Sequence, residues 1–169
     1  MKERTKIGQF MYNFTDKVCK KIMKHKWLIY LLNYTWGILT TIAGWVMYGF
    51  CLLFLKKYIG EKGKFMHCHY LTIFDRWGGL EMGMNFFTDR TPSLHTQYHE
   101  CGHTIQNALY GPLFIFLIAI PSAIRYWYRE LYTRKHKQDP EFYLPSYDLI
   151  WFEGSASDLG TYYHNNFKK

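Results

Sequence analysis

Between Trp27 and Leu55 the chain runs 29 residues without a charge, where a helix needs about 20 to cross a hydrocarbon core. The pattern predicts a membrane anchor helix over residues 27-55, with a buried core helix as the alternative. The run is longer than the 7 to 15 or so residues of a secretory h-region, and no small-residue cleavage site precedes Lys56, so it reads as a retained anchor. Its aromatics, among them Trp27, Trp36 and Trp45, suit interfacial belts, while Gly37, Gly44 and Gly49 allow close packing or a break. A basic segment, residues 1-26, precedes the anchor, and residues 56-169 read as the folded domain.

Phe65 to Phe74 is rich in aromatic and β-branched residues, Asp75 to Gly79 carries turn chemistry, and Leu80 to Thr88 follows, which predicts one β-hairpin. Thr91-Pro92 then starts a helix that Gly111-Pro112 stops. Leu113 to Ile124 is a 12-residue uncharged run interrupted by Pro121. At about 18 Å it is too short to span a bilayer. Tyr126-Trp127-Tyr128, beside Arg125 and Arg129, resembles an interfacial girdle. A polar loop from Thr133 to Pro145 and a last helix over Tyr147 to Tyr163 complete the expected order.

Lys+Arg 21 against Asp+Glu 13 gives a formal charge of +8. Eight of the basic residues lie in the first 26 positions and most others flank apolar runs, which suits a membrane surface and not nucleic acid. A mean hydropathy of -0.25 argues against a polytopic transporter and leaves room for one or two membrane segments. Cys19, Cys51, Cys68 and Cys101 follow no framework spacing and read as free thiols.

His99-Glu100-Cys101-Gly102-His103 is an H-E-x-x-H sequence inside the expected helix. Residues four apart share a helix face, so both imidazoles can reach one ion while Glu100 stands beside it. Two neutral nitrogens and a carboxylate base are what zinc-dependent hydrolysis requires. With eight His and seven Glu in the chain, chance gives this pattern only about 0.015 times. A catalytic site needs a third ligand, for which Asp148, Glu153, Asp158, His136 and His164 are candidates. Glu153 is favoured: it sits on a helix that is apolar on one side and followed by small residues, which let a second helix approach.

Trp77 to Gly83, His99 to Gln106, Gly111-Pro112-Leu113, Ile120-Pro121-Ser122 and Glu153 to Gly160 together resemble a family of small bacterial membrane proteins. That family carries a glycine-rich strand, HExGHxxQS, LGPLY, GxPS and ExxAxxLGG, and is assigned to the metallopeptidases through its motif. The resemblance implies a gluzincin-like site: Zn²⁺ held by His99, His103 and Glu153, with Glu100 as catalytic base. Two positions depart from it. Ser157 stands where the family often has Asp or Asn, which leaves Ser157 or the neighbouring Asp158 to orient an imidazole, and Thr161 replaces a glycine.

Other residues have plainer expectations. His95, one turn before His99, reads as a solvated helix histidine, with a substrate or ligand-orienting contact as the alternative; Gln106 reads as structural; His67 and His69 share a strand face, where a second metal would lack carboxylates; and Tyr162, Tyr163 and His164 are candidate donors to a developing oxyanion. An edge strand from Leu80, through Met82 and Met84, would pair with extended substrate, as in zincins. The expected fold is mainly α with a short β-hairpin: a zincin-like core, an N-terminal membrane helix and a short Pro-broken apolar segment. The expected function is a membrane-associated zinc-dependent metallopeptidase, one Zn²⁺ per chain, with a peptide or protein substrate, membrane lipid as partner and no nucleic acid. The alternative is a non-enzymatic, basic, membrane-anchored interaction protein whose metal is structural or absent.

Overall fold

The computed structural model describes residues 4–137, 139 and 142–167. Its centre is a pair of helices, α4 (Leu94–Tyr110) and α6 (Trp151–Phe167). They run antiparallel and touch backbone to backbone. A Cβ built on Gly102 would lie 1.9 Å from the Ala156 carbonyl oxygen, and one on Gly160 would lie 1.8 Å from that of Tyr98. Only glycine at both positions permits this approach. Ser93 caps α4, its Oγ accepting from the Thr96 amide at 3.0 Å, so the helix begins two residues after the expected Thr91.

The basic N-terminal stretch contains α1 (Lys6–Met23), which is followed by α2 (Lys26–Tyr34). Cys19, Ile22 and Met23 of α1 and Ile29 of α2 pack with Ile105, Leu159 and Tyr163 into one buried cluster. Large side chains buried this fully stabilise by about 1.5–3 kcal/mol each.

Residues 27-55 do not form the single helix expected of them. The chain breaks at Thr35–Gly37 and resumes as α3 (Ile38–Phe54), bent by 84° from α2. Among the described residues no single helix is long and apolar enough to cross a membrane; the bent pair passes that test only together. A buried polar network holds the break. Asn107 Nδ2 donates to Asn33 Oδ1 at 2.6 Å, Thr40 Oγ1 donates to Asn107 Oδ1 at 2.8 Å, and Asn33 Nδ2 donates to the Thr104 carbonyl at 3.2 Å. Buried amides need such partners, and these are on α4, so the run folds back onto that helix.

The expected single hairpin is two hairpins in a small mixed sheet of order β1-β2-β4-β3. β1 (Ile59–Phe65) and β2 (Cys68–Ile73) join through a turn in which Met66 has φ 56°, and β3 (Gly79–Met82) and β4 (Asn85–Thr88) join at Gly83, φ 67°. β2 and β4 pair in parallel, leaving β3 at the edge. The uncharged run Phe65 to Phe74, rich in aromatic and β-branched residues, concealed the first turn, since no Gly or Pro marks it.

The expected Pro-broken segment is also different. A π-helical turn, Ile115–Ala119, leads without interruption into α5 (Ile120–Lys135). The wider turn accommodates Pro121, which lacks an amide hydrogen, near the start of α5. Thr133 to Lys135, expected to be loop, are helical; Gln138, Pro140 and Glu141 of that stretch lie outside the described residues. The return to α6 runs along α5, where Arg129 Nη1 donates to the Pro145 carbonyl at 2.6 Å and Arg125 Nη2 to those of Ser146 and Tyr147 at 3.1 Å. At Tyr147–Leu149 a short 3₁₀ turn precedes α6.

Candidate metal centre

His99 and His103 lie one turn apart on the face of α4 that meets α6, and Glu153 opens the first turn of α6. The close helix contact at Gly102 brings the three together. His99 Nε2 and His103 Nε2 stand 3.1 Å apart, and Glu153 Oε2 is 3.1 Å from the first and 3.2 Å from the second. Ligands about 2.0 to 2.1 Å from a tetrahedral ion are separated by about 3.3 to 3.4 Å, so this triangle suits a small cation.

The far nitrogen of each ring is already engaged. His99 Nδ1 is 2.8 Å from Ser157 Oγ, whose hydroxyl donates to Asp148 Oδ1 at 3.1 Å. His103 Nδ1 is 2.8 Å from Gln106 Oε1, while Gln106 Nε2 donates to the Phe152 carbonyl at 2.8 Å. An acceptor at each Nδ1 places the hydrogen of the neutral ring there, so that each Nε2, once deprotonated, turns its lone pair toward the same point.

The electrostatics agree with this wiring. Burial would raise the Glu153 carboxyl, but hydrogen bonds and charge from His103 and His99 hold it well below the usual carboxylate range. Burial would lower the His103 imidazole, but Glu153, Glu100 and Glu81 together raise it to about 9 in the metal-free site. Glu153 Oε1 is buried beside the Tyr147 phenol without a hydrogen bond of normal geometry.

His99 and His103 line a cavity of about 530 Å³, with Glu153 buried behind them. Glu100 faces it from α4, its carboxyl raised by burial. A Cβ on Gly79 would lie 2.2 Å from Glu100 Oε1, so the carboxylate occupies room that β3 leaves by having no side chain there. Opposite, Phe114, Ile118, Ser122 and Tyr126 form the wall from the π turn and α5, and Tyr147 closes one side.

Several candidates stand elsewhere. Asp158 is exposed and accepts from the Tyr12 hydroxyl, so the orienting partner of His99 is Ser157 with Asp148 behind it. His136 bonds the Tyr132 carbonyl, and His164 lies against Tyr98. Tyr163 is buried against His67, while His69 packs on Trp45, so the two strand histidines share no site. Of the strand candidates, Leu80 lines the cavity. Met82 packs into the cluster on α3, and Met84 is buried in the turn; β4 is an inner strand with no free edge.

The sequence pattern carries no sign of Tyr147, of the place of Asp148 behind Ser157 or of the hydrogen bond that His103 Nδ1 donates to Gln106 Oε1. Nor does it mark Glu81, whose buried carboxyl near Glu100 and His103 is raised well above its usual range by desolvation. With 15 tyrosines in the chain, only proximity to the ligand helix pointed to Tyr147. No protein-family model matches this chain, and neither a curated protein nor a solved structure does.

Proposed function

We propose that the chain is a membrane-associated, zinc-dependent peptide-bond hydrolase. The observation that carries this reading is the triangle of His99 Nε2, His103 Nε2 and Glu153 Oε2 at 3.1 to 3.2 Å, next to an open cavity that holds Glu100. A purely structural metal site is closed by four protein ligands. Here the described residues supply three, and the cavity borders them. The HExGHxxQ and ExxA resemblance supports the same class.

His99, His103 and Glu153 would hold the ion, which when bound polarises a carbonyl and acidifies a water. Glu100 takes the proton of the attacking water and passes it to the leaving nitrogen, a role helped by burial, which raises its carboxyl above the usual range. The Tyr147 phenol, raised by burial and the nearby Glu153 charge, stays protonated and can donate to the oxygen that gains charge. Leu80 on edge strand β3 offers backbone groups beside the cavity for an extended peptide. The test is metal analysis of purified protein with hydrolysis of a mixed peptide library, wild type beside Glu100→Gln. Metal with no turnover on any peptide would favour the non-enzymatic alternative.

A further inference from the structure

At one end of the molecule the apolar elements meet. A Cβ on Gly111 would lie 2.2 Å from Trp36 Nε1, so the α2–α3 bend abuts the residues that lead into the π turn and α5. From there two stripes run outward uncovered. Along the π turn and α5, Phe116, Ile120, Ile124, Trp127 and Leu131 follow at helical spacing, and the least exposed of them is 46% accessible. Along α3, Leu39, Ile42, Val46, Phe50 and Leu53 do the same, the least at 47%. Single exposed apolar residues are ordinary, whereas continuous stripes of this kind mark an interaction surface.

The order of residue types along α5 identifies the occupant. Uncharged Leu113 to Ile124 comes first, then Tyr126-Trp127-Tyr128 flanked by Arg125 and Arg129, and then Glu130, Arg134 and Lys135, a net basic end. α3 is likewise followed by exposed Lys56 and Lys57. Apolar tip, aromatic belt and basic end match the depth profile of one leaflet of an anionic bilayer. Twelve residues of helix, about 18 Å, compare with about 15 Å for half a hydrocarbon core. A second copy of a chain with net charge +8 would bring like charges together at the same basic ends.

We propose that the α2–α3 bend and the start of the α5 helix are inserted into one leaflet of an anionic bilayer, with the cavity mouth at the lipid surface. Trp127 belongs to both the stripe and the cavity wall, which ties the two together. Taken with the hydrolytic reading above, on which this part rests, the substrate class is a polypeptide segment held in or on the bilayer.

The test uses the full chain and vesicles of phosphatidylcholine with and without phosphatidylglycerol. The four native cysteines are buried, so a bimane label can be placed on Leu113→Cys and, as control, on Asn165→Cys near the opposite end of α6. Brominated acyl chains should quench the label at 113 and leave that at 165 unchanged. Flotation with anionic vesicles should fall at least tenfold in Leu113→Glu/Phe116→Glu, both exposed positions, with an unchanged circular dichroism spectrum. Equal flotation of wild type and variant, or absence of quenching at 113, overturns the proposal. So does a dimer in light scattering that the double variant dissolves, since the face would then join two copies. None of these readouts involves turnover, so they stand apart from any failure of the hydrolytic reading. For the substrate class, a cleaved peptide given a lipid anchor should turn over at least tenfold faster on vesicles than its soluble form, and equal rates overturn it.

Discussion

Ser157 Oγ stands 2.8 Å from His99 Nδ1 and bonds Asp148 Oδ1 at 3.1 Å, so a hydroxyl relays between an imidazole and a carboxylate. The hydroxyl accepts from the ring and donates to Asp148, which fixes the tautomer that offers Nε2. Ser157→Ala and Asp148→Asn should each weaken metal binding about 10- to 100-fold in competition with a chromophoric chelator. Asp158→Asn, on the exposed side of α6, should leave it unchanged.

Purified protein should carry about one zinc per chain, and His99→Ala, His103→Ala or Glu153→Ala should remove most of it. Full occupancy by elemental analysis in Glu153→Ala would strike that residue from the ligand set.

Glu100→Gln preserves size and hydrogen bonding but cannot take a proton. Metal content and thermal midpoint should stay near wild type while kcat falls by a factor of about 10² to 10⁴. Undiminished turnover would remove Glu100 from the mechanism.

The raised His103 value, about 9 without metal, couples metal to pH. At pH 7 His103 is protonated in the metal-free site, so binding must expel that proton, and affinity should rise with pH by about tenfold per unit until near pH 9. Calorimetry in two buffers of different ionisation enthalpy would measure about one proton released at pH 7. The sign for metal-free stability is opposite: a raised imidazole stabilises fully below its unfolded value of about 6.5 and loses that contribution as pH rises through about 9. A flat affinity profile between pH 6 and 8 would contradict the coupling.

Gly102→Ala would place a methyl 1.9 Å from the Ala156 carbonyl oxygen, where backbone and not a flexible side chain must yield. Overpacking of this kind costs about 1–3 kcal/mol, or several degrees in Tm for a chain of this size by about 2–4 °C per kcal/mol. Because the same contact aligns His99 and His103 with Glu153, zinc affinity should fall in parallel. A stable variant with wild-type affinity would show that the helices can part without cost.

What the sequence by itself determined is local. H-E-x-x-H sits on one helix face because four residues make about one turn, and Gly111 ends that helix where φ becomes 54°. The small residues after Glu153 announced a close helix contact, and Gly102 and Gly160 supply it. Tertiary structure decided the rest. An uncharged run from Trp27 to Leu55 reads as one span until Asn33 and Thr40 find Asn107 on a helix more than 60 residues away, and the need to satisfy those buried polar groups bends the chain. Ser157 looked like the loss of an orienting carboxylate because Asp148, nine residues before it, is brought beside it only when the Tyr147–Leu149 turn folds against α6. Charge and periodicity are properties of neighbours in sequence, whereas the partner of a buried polar atom is chosen by packing.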